Sequence, residues 1–219
     1  MSDIEIWPWV TLFLLGAYHG INPGMGWLFA VALGLQERTR AAVLRALPPI
    51  ALGHLVSIGA VLGILAVAES QLPYPVIRYG SAAVLFAFGL YKLFRHRHPR
   101  WVGMRVGFRD LTIWSFLMAT AHGAGLMLVP VVLGIAAENP EMPMGHAGHM
   151  ASMGPSAGLS FLVAAVGAHS LAYLAVLGGV ALIVYEKLGL RLLRRAWFNL
   201  DLLWAAALMA AGTMVLLMT

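Results

Sequence analysis

With 61% hydrophobic and 11% charged residues over 219 positions, the chain lies far from a soluble domain, where roughly a quarter of residues are charged. It has no cysteine, which excludes disulfide scaffolds, thiolate metal sites and thiol nucleophiles. The formal net charge of +5 raises nucleic acid as a partner, but the distribution of the basic residues argues against it.

The N-terminal segment Met1–Trp9 carries Asp3 and Glu5 and no base. A cleavable signal peptide needs a positive start, so the first apolar stretch is expected to be a retained span. Six spans are predicted, at about 8–35, 48–68, 76–94, 111–137, 158–185 and 197–218, by apolar stretches long enough to cross a bilayer. The expected fold is therefore all-α: one polytopic transmembrane domain over residues 1–219. Pro48-Pro49 is expected to open the second span, where proline is harmless.

Thirteen of the fourteen lysines and arginines fall between spans one and two, three and four, or five and six, leaving Arg78 on the other side. The positive-inside rule then places these three loops in the cytoplasm and both termini outside. The bases are a topology signal, so no nucleic-acid partner is expected, and His96 and His98 belong to a solvated basic loop. The lipid bilayer is the expected partner, with the inner (plasma) membrane as the location; a homo-oligomer stays open.

Three spans starting outside followed by three starting inside form a 3+3 inverted repeat, with halves at about 8–94 and 111–218. Short matches agree with this: Tyr18-His19-Gly20 is answered by Ala121-His122-Gly123, and Gly53-His54-Leu55 by Ala168-His169-Ser170, in the same order. His19, His54, His122 and His169 thus fall one each in spans one, two, four and five. A single buried histidine commonly fixes helix packing. Four of them, symmetrically placed with almost no other ionisable group at membrane depth, point instead to a shared site. Imidazole is a ligand for nickel, cobalt, copper, zinc and iron, so a transition metal ion of one of these kinds is expected. At 1.5 Å per helical residue, His19 and His122 lie near the midplane, with His54 and His169 flanking it as further ligands or as stations along a path.

Around His19, Asn22, Pro23, Gly24, Met25 and Gly26 interrupt the apolar run. They predict either a proline kink or a broken helix whose carbonyls line a cavity. Asn22 and Met25 are candidate additional metal ligands. The stretch His19-Gly20-Ile21-Asn22-Pro23-Gly24-Met25-Gly26-Trp27 resembles the first-helix motif of NicO-type nickel/cobalt exporters, roughly H-A-x-x-P-G-H-G-K, within the LysE transporter superfamily. His19, Pro23, Gly24 and Gly26 match; Met25 replaces the second histidine and Trp27 the lysine. Residues Ala51–Ser57 and Tyr79–Arg95 are similar to that superfamily's second and third helices. The resemblance implies an exporter with a substrate site near His19. The thioether at position 25 shifts the metal preference toward Cu(I).

The outer loop at about 138–158 contains Met142, Met144, His146, His149 and Met150 among prolines and glycines, either a secondary metal-sequestering segment or a plain linker. No catalytic residue is assigned. Ser57 and Ser170 follow histidines but lack a recognisable hydrolase arrangement, and Asp201 pairs with Arg194 or Arg195 or supplies a coupling carboxylate. The expected function is export of a transition-metal cation through a histidine-lined midplane site. An intramembrane metalloenzyme or redox protein with a permanently bound metal or haem, and an exporter of a small organic solute, remain as alternatives.

Overall fold

A computed structural model of the chain describes residues 6–94, 107–137, 155–188 and 200–217. The described residues form helices and no strand. The helices are α1 (Ile6–Ile21), α2 (Trp27–Glu37), α3 (Arg40–Gln71), α4 (Tyr74–Phe94), α5 (Phe108–Ala121), α6 (Val129–Ala137), α7 (Pro155–Ile183) and α8 (Leu200–Leu217). Two stretches, Arg40–Ala68 and Leu162–Lys187, are long and apolar enough to cross a membrane. A third arises if α5 and α6, bent by 49° at their junction, form one span; Ile6–Ile21, Trp27–Glu37 and Ala205–Leu217 are shorter apolar helices.

The first predicted span is broken rather than kinked. Its break lies between α1 and α2, where Pro23–Met25 form a single 3-10 turn. Asn22 caps that turn, its Oδ1 accepting the Gly24 N–H at 2.9 Å. Gly26 then takes a φ of 125°, a conformation open to glycine and strained for other residues. The carbonyls released by the break are taken up again by side chains. The Trp27 indole N–H donates to the Ile21 carbonyl at 2.8 Å, and the Tyr173 hydroxyl donates to the Met25 carbonyl at 2.7 Å. Unpaired carbonyls at this depth would each be costly.

The fourth predicted span is also divided. Helix α5 ends in a Schellman motif: Ala124 N–H bonds the Ala119 carbonyl at 2.9 Å and Gly123 N–H the Thr120 carbonyl at 3.0 Å. Gly123 supplies the left-handed residue at φ 69°, the conformation this motif requires. Pro130 follows in the first turn of α6, where its missing amide proton costs nothing.

Pro48 and Pro49 do not open their helix as expected; they lie inside α3. The start is set upstream by Thr39, whose hydroxyl accepts the Ala42 N–H at 3.2 Å, after Arg38 has closed α2 in the left-handed region. The flanking Ala46 and Ile50 are buried in the core, so packing offsets the bonds that the prolines cannot make.

The main packing pairs are α1 with α7, α3 with α5 and α4 with α8. Each has a glycine against the partner's backbone. A β-carbon on Gly16 or Gly20 of α1 would strike the carbonyl oxygen of His169 or Tyr173. One on Gly53 of α3 would strike the Thr112 carbonyl, and one on Gly89 of α4 would stand 3.2 Å from the Ala205 carbonyl. Lipid supplies no hydrophobic drive for helices to associate, so close backbone contact between small residues does much of that work.

At one end of the bundle Arg40, at the start of α3, pairs with Glu186 beyond α7 at 2.8 Å, and Arg45 pairs with Glu37. Arg78 of α4 donates to the Val215 carbonyl at 3.2 Å and also bonds the Leu216 carbonyl, satisfying the open end of α8.

Candidate metal centre

Three of the four expected histidines meet. The ring centres of His19 on α1, His54 on α3 and His169 on α7 are separated by 5.6 Å (19 to 54), 5.0 Å (19 to 169) and 5.6 Å (54 to 169). All three side chains are fully buried. Metal–nitrogen bonds of about 2.0–2.1 Å place the ring centres of imidazoles sharing one ion roughly 5–5.5 Å apart. The rings therefore have the spacing of a shared ion. Among the described residues, however, no group of three or more His, Asp or Glu is placed so that it could hold a metal ion as it stands.

The local sequence explains why these rings gather. Gly16 and Gly20 let α1 lie on the α7 backbone, which brings the Leu12 carbonyl to the Nδ1 of His169 at 3.2 Å. Within α1, the Nδ1 of His19 bonds the Leu15 carbonyl one turn back at 2.7 Å. His122 repeats that bond in α5, to the Met118 carbonyl at 2.8 Å. A carbonyl only accepts, so Nδ1 carries the proton in all three residues and Nε2 keeps its lone pair. Anchoring one ring nitrogen so that the other can ligate is the usual support of a metal-binding histidine.

His54 is held differently. Neither of its nitrogens has a hydrogen-bond partner among the described residues. Instead its ring stacks on Tyr173, centres 4.0 Å apart at 16°. Tyr173 stands one helical turn after His169, the spacing that puts both on one face of α7. It thereby touches the cluster with its ring and holds the α1–α2 break with its hydroxyl. The sequence reading overlooked this residue; the His169-x-x-x-Tyr173 spacing was the available signal. Tyr173→Phe should keep the stack and strand the Met25 carbonyl, lowering stability by about 1–3 kcal/mol. A thermal melt of the detergent-solubilised variant checks this; an unchanged melting temperature would mean that the bond contributes nothing.

His122 lies against the break. A β-carbon on Gly24 would sit 3.2 Å from its Cε1 and 3.2 Å from the Asn22 Oδ1, and His122 is within electrostatic reach of His19. The Asn22 Oδ1 is occupied as a cap. Met25 is buried in the core, with its carbonyl tied to Tyr173. Ser57 donates to Thr120, 2.9 Å away, because the Thr120 hydroxyl already donates to the Phe116 carbonyl. That bridge joins α3 to α5 and leaves Ser57 without the base a nucleophile needs. Ser170 is buried, its hydroxyl without a partner among the described residues.

The expected loop ligands Met142, Met144, His146, His149 and Met150, together with His96, His98, Arg194 and Arg195, lie outside the described residues, as does the Asp201 side chain. No protein-family model, no curated protein and no solved structure matches the chain.

Proposed function

We propose that this protein carries a transition-metal cation across a membrane, with His19, His54 and His169 as the transient ligands and His122 as a neighbouring station. The observation that carries this reading is the triangle of buried rings contributed by α1, α3 and α7, at the separations of a shared ion. A resident cofactor needs a closed set of donors, whereas passage needs donors that engage and release. His54, with no hydrogen bond at either nitrogen among the described residues, is suited to doing both.

The architecture proposed for this task is six spans in two inverted halves, with the basic loops cytoplasmic. Several features support it. Exchanging the halves turns the α1–α7 pair into α5–α3 and leaves α4–α8 paired with itself, and these are the main packing pairs. Each half begins with a broken helix, and the His19 and His122 rings make the same bond one turn back. The Arg40–Glu186 pair joins two segments assigned to the cytoplasmic side. These features agree with the 3+3 arrangement that the resemblance to NicO-type exporters implies.

Purified protein in proteoliposomes should move nickel, cobalt, copper, zinc or iron faster than protein-free vesicles. Flux should fall to background when His19 and His169 are both replaced by alanine. Equal flux in vesicles with and without the wild-type protein, for every one of these metals, would remove the proposal. Stoichiometric metal surviving purification and lost in the same double variant would support a permanently metallated protein instead.

A further inference from the structure

The cluster has an electrostatic peculiarity. The buried polar side chains among the described residues are histidines, serines, Asn22, Tyr173 and Trp27, and none of them carries a formal negative charge. The carboxylates whose side chains are described, three in all, are engaged elsewhere. Glu37 and Glu186 are in surface ion pairs with Arg45 and Arg40, and Asp110 caps the exposed start of α5. With Nδ1 protonated in His19 and His169, the site offers neutral nitrogen lone pairs and, among the described side chains, nothing to balance charge.

Desolvation cost grows with the square of the charge, so an unbalanced divalent ion pays about four times what a monovalent ion pays in the same surroundings. Zinc, nickel and cobalt sites commonly offset this with carboxylate, thiolate or hydroxide. A monovalent ion of closed d-shell needs neither an anion nor a fourth ligand, and three imidazoles satisfy it in a plane. The donors nearby are of the kind such an ion accepts. Imidazole is itself such a donor, and Met25 is fully buried in the core, its carbonyl bonded to the Tyr173 that stacks on His54.

We propose that the cation held by His19, His54 and His169 is monovalent and soft, Cu(I) in chemical class, and that the neutral rings, with no buried anion beside them among the described side chains, discriminate against divalent ions. This rests on reading the ring triangle as a cation site. Cu(I) binds as it arrives, without electron transfer at the site, and the neutral ligands need lose no proton.

The test uses the full chain in detergent, with Met142, Met144, His146, His149, Met150 and Met153 changed to serine so that the loop contributes no methionine or histidine sites. Cu(I) is supplied with ascorbate under anaerobic conditions. Ag(I) serves as the redox-inert monovalent probe, and Zn(II), Ni(II) and Co(II) as competitors. One equivalent of Cu(I) or Ag(I) should be retained against an excess of each competitor, and X-ray absorption should show nitrogen-dominated, three-coordinate copper. His54→Phe, which preserves the ring stack and so the fold, should lose that equivalent, as should His19→Ala. Displacement by Zn(II), Ni(II) or Co(II) would overturn the charge argument while leaving the metal site standing. Failure of all five ions to bind would overturn it together with the metal reading beneath it.

Discussion

Replacing His54 by phenylalanine is expected to stabilise the apoprotein while abolishing metal handling. The two halves of that result have separate causes. In the wild type the imidazole is fully buried with no hydrogen bond at either nitrogen among the described residues. A buried polar group left without a partner costs about 1–3 kcal/mol. Phenylalanine removes that cost, fills a similar volume, and retains the stack on Tyr173, now 4.0 Å between centres. A rise in melting temperature is therefore expected for a gain of roughly 1–2 kcal/mol. Metal flux and binding should fall at the same time, because one corner of the triangle has lost its donors. Loss of a residue that merely supports a ligand already costs about 10–100-fold in affinity, and loss of the ligand itself should cost more. His169→Leu should gain less in stability, since it gives up the bond to the Leu12 carbonyl at 3.2 Å. A lower melting temperature for His54→Phe with unaltered flux would identify His54 as a packing residue.

Gly16→Leu is expected to prevent assembly of the folded protein. The β-carbon alone would strike the His169 carbonyl oxygen and stand 3.0 Å from the Ala172 side chain, so α1 and α7 would have to part along the contact that brings His19 and His169 together. The obstacle is backbone, which cannot rotate out of the way as a side chain can. Overpacking of a tight interface costs about 1–3 kcal/mol even where relaxation is available, and the cost here should exceed that range. Gly59→Ala and Gly63→Ala provide the contrast, because a β-carbon at either meets nothing within 4 Å. Those helical substitutions should be neutral or stabilise by about 0.5–1 kcal/mol. Size-exclusion profiles of the three variants decide the matter. A monodisperse Gly16→Leu that still binds metal would show that the α1–α7 contact is looser than the glycine geometry indicates.

How far the sequence carried depended on the range of the interactions involved. Helices could be read from long apolar stretches, because hydrogen bonding within a helix and exclusion of backbone from lipid both act locally. The interruption at Asn22–Gly26 could be read for the same reason, since proline and glycine act on the backbone within a few residues; that it is a break capped by Asn22 and not a kink came from the structure. Thr39 was the local signal that moved the start of α3 ahead of Pro48-Pro49, and it was passed over because window hydropathy does not see caps.

The membership of the site was not local. Sequence order and depth paired His19 with His122 as midplane ligands and left His54 and His169 flanking them. The structure instead groups His19, His54 and His169 and sets His122 beside Gly24. That grouping follows from which helices touch, and the contacts are chosen by bare backbone at Gly16 and Gly20 meeting the α7 carbonyls. Such complementarity belongs to two surfaces far apart in the chain, so no window on either one contains it. The helices and the interruption of the first apolar stretch were determined by the sequence itself. Which rings face one another, and that Tyr173 ties the break to the cluster, were decided by close packing between distant helices.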